Sequence, residues 1–312
     1  MYFPYLRGKQ FELIALKEIS PFLSKKRTKV SPIIEPVKSS TTLKTTILAL
    51  KQSNVNFNII INPSVGDLQK SSADIFSILQ NDLNDYKNFQ IAIILSGKEN
   101  QKSILSLLKK NKDLSSGLSL IHDTVYDNIE DRISMYNDEI SVKYNIVNFS
   151  KTNRRYYRQF KGSSIIELDD FFNLQQRNVD YKPIDESDFS DEHLYFKEEG
   201  FSGFSDFLTI GDNYSESGFL PYAVAIHLSY SDLSKKIKIK HFVSDSNDDN
   251  SDIAGKFSEA LDSLVTWCDK TNHKTNAVEI FRELHKRGHF PGLGTVKKLS
   301  IMNHIEVVLN AI

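Results

Sequence analysis

Two runs, FNIIIN (residues 57–62) and QIAIILS (residues 90–96), constrain this chain most, because each is apolar at nearly every position. Successive side chains of a strand point to opposite faces, so such a run needs cover on both sides, which is the condition of a parallel sheet flanked by helices. A strand with one wet face would alternate. Runs of this kind recur with longer amphipathic stretches between them, starting with residues 2–6 and a helix over 11–23, then SPIIEPV (31–37) and a helix over 43–52. The rhythm continues through strands at 118–123, 144–149 and 163–169 and, after an acidic, loop-like interval at 173–192, DFLTIG (206–211) as the eighth. Eight βα strands predict an α/β fold, a TIM-type (β/α)8 barrel, although an open doubly wound sheet shares the rhythm.

Beyond strand eight the pattern changes. Residues 221–243 alternate around a polar SDLSKK turn, which reads as an added β-hairpin, and three C-terminal helices follow at 254–267, 276–286 and 296–309. The expected division is therefore a barrel over residues 1–270, hairpin 221–243 included, with a helical extension over 271–312.

Composition narrows the class of function. Across 312 residues, 39 Lys and Arg against 40 Asp and Glu leave a formal net charge of −1, so nucleic-acid binding would have to come from a local basic patch. The single cysteine, Cys268, excludes an internal disulfide and a multi-cysteine zinc site. No signal-peptide layout opens the chain and no apolar stretch is long enough for a membrane span, so a cytoplasmic location is expected, with no membrane partner. Self-association and cofactors stay open.

In a barrel of this type functional residues sit where strands end, and those positions are polar here. Glu35 interrupts the apolar run SPIIEPV where that strand should emerge, and a buried carboxylate there needs a partner such as Arg7 or Lys9. With His122, Asp169 and Asp212 it makes a candidate acid–base set; Arg7, Lys9, Asn62, Asn148 and His227 are candidate ligand-binding residues. Taken singly, each position is better explained as a cap, a turn residue or a solvated polar group, except Glu35, for which a structural ion pair and a catalytic arrangement predict the same contact. His227 and His241 fall on facing hairpin strands, but HxH, HExxH and CxxC spacings are absent and no metal site is predicted. The segment KTNRRYYRQFK (151–161) interleaves Arg154, Arg155 and Arg158 with Tyr156, suited to a nucleic acid or an acidic protein partner, or simply to a solvated face.

The opening YFPYLRGKQFELIALKEI, the strand SPIIEPV, the segment FSDFLTIGDNYSESGFLPYAVAIHLSY and the late HFPGLGTVKKLSIMNHIE together resemble the beta-protein family of bacteria and phages. That resemblance implies a barrel-like α/β fold and a genomic setting beside a small protein similar to PD-(D/E)XK nucleases, hence a two-component system against phage or mobile DNA; it brings no established catalytic residues. The expectation is a binding or regulatory barrel subunit with a nuclease-like partner. The alternative is a barrel-mouth hydrolase or phosphodiesterase acting on a phosphate-containing substrate.

Overall fold

A computed structural model describes residues 1–153, 155–160, 163–215 and 221–312. In chain order the elements are β1 (Tyr2–Leu6), α1 (Gln10–Lys25), β2 (Ile33–Ile34), α2 (Thr41–Gln52), β3 (Phe57–Ile60), α3 (Ser72–Leu83), β4 (Phe89–Leu95), α4 (Gln101–Lys110), β5 (Leu118–His122) and α5 (Ile129–Asn137). Next come β6 (Val142–Asn148), β7 (Ile165–Asp169), β8 (Glu186–Ser190), α6 (Glu192–Tyr195), β9 (Gly203–Asp206), β10 (Ala225–Ser231), β11 (Ile237–Val243), α7 (Ile253–Thr271), α8 (Asn276–Arg287) and α9 (Leu293–Ala311). These elements fall into two compact units. The first comprises Met1–Asp170 and Tyr195–Asp206, the second Phe171–Leu194 and Phe207–Ile312.

The first unit is a closed, all-parallel barrel in the order β1-β2-β3-β4-β5-β6-β7-β9. Parallel pairing puts partners on the same face, so one contact identifies the inside: Ser119 on β5 donates to Asn58 on β3 at 2.6 Å although β4 lies between them. Following the register around, Phe3, Tyr5, Ile33, Ile94, Ile121, Ile146 and Ser205 face the interior. Phe3 and Tyr144 meet edge to face across it, with ring centroids 5.1 Å apart. Closure depends on a glycine. A Cβ on Gly203 would lie 2.3 Å from the Met1 carbonyl oxygen and 2.9 Å from the Phe3 ring, so only a bare Cα lets β9 reach β1.

Helices α1 to α5 alternate with the strands, and caps mark their starts: Ser40 accepts from Leu43 N–H before α2, and Asn100 from Ser103 N–H before α4. Between β6 and β7 the outer layer is a short 3-10 helix, Tyr156–Gln159. The predicted eighth strand is displaced. DFLTIG is not a strand: β9 ends at Asp206, and Leu208–Ile210 is a 3-10 helix belonging to the second unit. The reason lies in composition, since the true strand, GFSD, presents Gly203 and Ser205 to the interior and lacks the apolar signature that DFLTIG carries.

The second unit builds an antiparallel sheet in the order β10-β11-β8. Its third strand, β8, lies within the interval 173–192 that reads as loop, because ESDFS keeps one face wet and only Phe189 is buried. Residues 229 and 230 point to opposite faces of this sheet. Ser229 Oγ is hydrogen-bonded to His304 Nδ1 of α9 while Tyr230 packs on Trp267 of α7, so the two helices cover opposite sides. Helix α9 is buried almost all round, and its Asn303 and His304 are spent on structure: Asn303 donates to the Ser229 carbonyl and accepts from Thr275. The division expected at 270/271 is therefore not the one the packing makes, since hairpin 221–243 and α7 share a unit with α8 and α9.

Candidate functional site at the barrel mouth

Interior parity carries β1 and β2 out of the barrel with Arg7 and Glu35 side by side. Gly8, at φ +64°, follows at once, and a Cβ there would sit 2.6 Å from the Glu35 carbonyl oxygen; glycine is what lets the two strand exits run this close. The Glu35 side chain is fully buried and takes four donors. Oε2 accepts from the Tyr5 hydroxyl at 2.6 Å and from Arg7 Nη1 at 2.7 Å; Oε1 accepts from Ser64 N–H at 2.6 Å and Ser64 Oγ at 2.7 Å. Burial, reinforced by the neighbouring Glu35 charge, pushes the Tyr5 hydroxyl well above the ordinary tyrosine range.

A second cluster stands at the ends of β5 and β6. Asp123 accepts from Asn148 Nδ2 at 2.9 Å on one oxygen and from Lys151 Nζ at 2.9 Å on the other. The Asp123 charge is also felt by the Tyr5 hydroxyl, so both clusters border the same mouth. Asn148 is 1% exposed, and its Oδ1 has no partner among the described residues. Neither Tyr5 nor Ser64 carries a signal in the sequence strong enough to mark it: Tyr5 reads as a core strand residue, and Ser64 lies in an aperiodic loop.

The remaining candidates divide. Asn62 spends both ends of its amide on β4, donating to Ile94 O at 2.8 Å and accepting from Ile94 N–H at 2.9 Å, which prolongs the β3–β4 ladder. Lys9 is the residue before the first turn of α1, partly exposed. His122 faces outward, one residue out of parity with the interior Ile121. Its Nε2 pairs with Asn145 Oδ1 at 3.0 Å and its Nδ1 with the Tyr156 hydroxyl at 3.1 Å, under the 3-10 helix. Because Asn145 Oδ1 can only accept, Nε2 carries the proton and Nδ1 accepts from Tyr156. Burial holds this imidazole down to about 4, neutral and structural.

Asp169 also has outward parity, paired in register with Asp206, and accepts from Ser150 Oγ and from Asp170 N–H at 2.8 Å. Asp212 and His227 belong to the second unit, Asp212 in the turn after the 3-10 helix and His227 on β10. The three members of the expected acid–base set that lie in the first unit, Glu35, His122 and Asp169, do not come together there. Within the barrel, strand parity sends Glu35 inward and the other two outward.

In the basic segment Tyr156 is fully buried with its hydroxyl on His122, so it offers no ring to a base. Arg155 and Arg158 are exposed, and Arg154 lies outside the described residues. Arg158 lines a groove of about 430 Å³ with Asp127, Glu130 and Asp131, which offsets the positive charge a phosphate backbone would need. No helix among the described residues is long and apolar enough to cross a membrane. No family model, no curated protein and no solved structure matches the chain.

Proposed function

We propose that this protein is the binding or regulatory subunit of a nuclease-associated bacterial defence pair, a barrel that recognises rather than cleaves. The observation that carries the binding reading is Glu35. A general base or nucleophile needs a lone pair directed at its substrate, and the two oxygens of this carboxylate already accept four hydrogen bonds. What such a carboxylate does instead is hold Tyr5, Arg7 and Ser64 in place around the mouth, a preorganised rim for a ligand or a partner loop. The nuclease-like partner and the defensive setting rest on the resemblance to the beta-protein family, and the cytoplasmic location on the sequence features given above.

The test is to co-express the chain with a nuclease-like protein encoded beside it, and to follow co-elution and cutting of duplex DNA. One shared peak is expected, with cutting by the partner altered when this chain is added and no turnover by the chain alone. Separate elution with unaltered cutting would sink the partnership. Turnover of a phosphodiester by the chain alone, abolished in Glu35→Gln, would sink the non-catalytic reading.

A further inference from the structure

Within the second unit a groove of about 360 Å³ runs between β11 and α7, a size in the range of small-molecule sites, about 300 to 1,000 Å³. Its helix wall is a single stripe, Ser263, Thr266, Trp267 and Lys270, at the three- and four-residue spacing that aligns side chains on one face. Its sheet wall is Lys240 and Phe242, which share the face that α7 covers, and Lys182 with Asp185 closes the open side. Three ammonium groups thus meet one carboxylate in the lining. Lys240 pairs with Asp185, and Lys182 with Asp245 at 2.8 Å, but both aspartates are mostly exposed, and ion pairs of that kind contribute little and are readily exchanged. Lys270 has no ion pair among the described residues and is exposed.

The backbone supplies a further donor. Ser244 N–H donates to the Val224 carbonyl, which makes 224 and 244 a hydrogen-bonded pair and therefore 225 and 243 a non-bonded one. The Val243 N–H must turn away from β10, toward the edge where β8 pairs only as far as Lys240. His241 N–H on that edge is taken by the Asp185 carbonyl, whereas Val243 N–H has no hydrogen bond among the described residues.

We propose that this groove binds a phosphate-bearing aromatic ligand of mononucleotide size. The phosphate would be held by Lys182, Lys240, Lys270 and the Val243 N–H, with the ring lying along Trp267 and Phe242. Nothing at the barrel mouth enters this assignment, so it stands or falls separately from the defence reading.

Trp267 is the chain's one tryptophan, so its emission reports on the groove directly. The experiment titrates the full chain with AMP, adenosine, inorganic phosphate and sulfate at matched ionic strength, following tryptophan fluorescence. AMP is expected to change the emission saturably, with adenosine and the inorganic anions at least roughly tenfold weaker. The double variant Lys182→Gln/Lys270→Gln, with an unchanged circular dichroism spectrum, should raise the AMP midpoint roughly tenfold or more. A flat AMP titration, a sulfate or phosphate response equal to that of AMP, or a variant that binds AMP like the parent would each overturn the proposal. A third variant, Lys240→Gln, guards against the double variant failing to fold, and parent-like binding there as well would overturn it.

Discussion

Each unit buries a polar cluster, and the two manage the cost in opposite ways. At the barrel mouth Glu35 is paired with Arg7 and surrounded by donors, so a carboxylate is made tolerable by supplying every hydrogen bond it lost to water. In the small sheet His227 and His241 form a non-bonded antiparallel pair, where side chains come closest, and their Nδ1 atoms lie 2.9 Å apart with Tyr181 packed on both rings. One nitrogen must donate and the other accept, so this pair holds only while at least the accepting ring is neutral. The first cluster is an assembly of opposite charges. The second depends on the absence of charge.

The sharpest way to break the contrast is to remove one charge from the first cluster. Arg7→Met leaves Glu35 buried without its cation and should cost about 3 to 5 kcal/mol. Arg7→Met combined with Glu35→Met should regain most of that loss in urea denaturation. Equal loss in single and double variants would mean that packing, not charge, holds the mouth together.

Acid should distinguish the second cluster. Burial pushes His227 down to about 3, with His241 adding to it, and burial pushes His241 down to about 4. Asp185 and Glu186 pull His241 upward and Lys240 pulls it down. An unfolded chain takes up these protons near the ordinary 6.5 while the fold refuses them. The stability of the second unit should therefore be complete above pH 6.5 and fall as pH drops toward 3, by at most about 1.4 kcal/mol per pH unit for each histidine. Denaturant midpoints at successive pH values check this, and His227→Phe should flatten the curve.

A smaller effect is expected at His122, a neutral buried imidazole like those of the sheet but sited in the barrel. His122→Leu strands Asn145 Oδ1 and the Tyr156 hydroxyl, at about 1 to 3 kcal/mol. His122→Leu with Asn145→Leu should lose less than the sum, as measured by thermal and urea unfolding.

Much of the barrel is legible because its strands are covered on both sides: FNIIIN and QIAIILS admit few other readings. The same property hides the site. When both faces of a strand are apolar, alternation no longer marks the interior, so nothing in LSLIHD says that Asp123 turns into the mouth and His122 out of it. Glu35 could be found because a carboxylate inside SPIIEPV is conspicuous, and Arg7 follows as its cation. Ser64 could not, since its role depends on where a loop after β3 happens to pass. GFSD and ESDFS do not read as strands for two different reasons: GFSD is buried throughout but offers glycine, serine and aspartate where an apolar signature is expected, whereas ESDFS is only partly buried and keeps its polar residues on a wet face.

The last stave of the barrel, β9, lies between the two stretches of chain that form the second unit. No single cut can therefore free either unit intact, and a protein emerging from the ribosome must hold seven parallel strands with an unpaired edge until Gly203 arrives. By then one piece of the other unit has already been made, and its remainder is still to come.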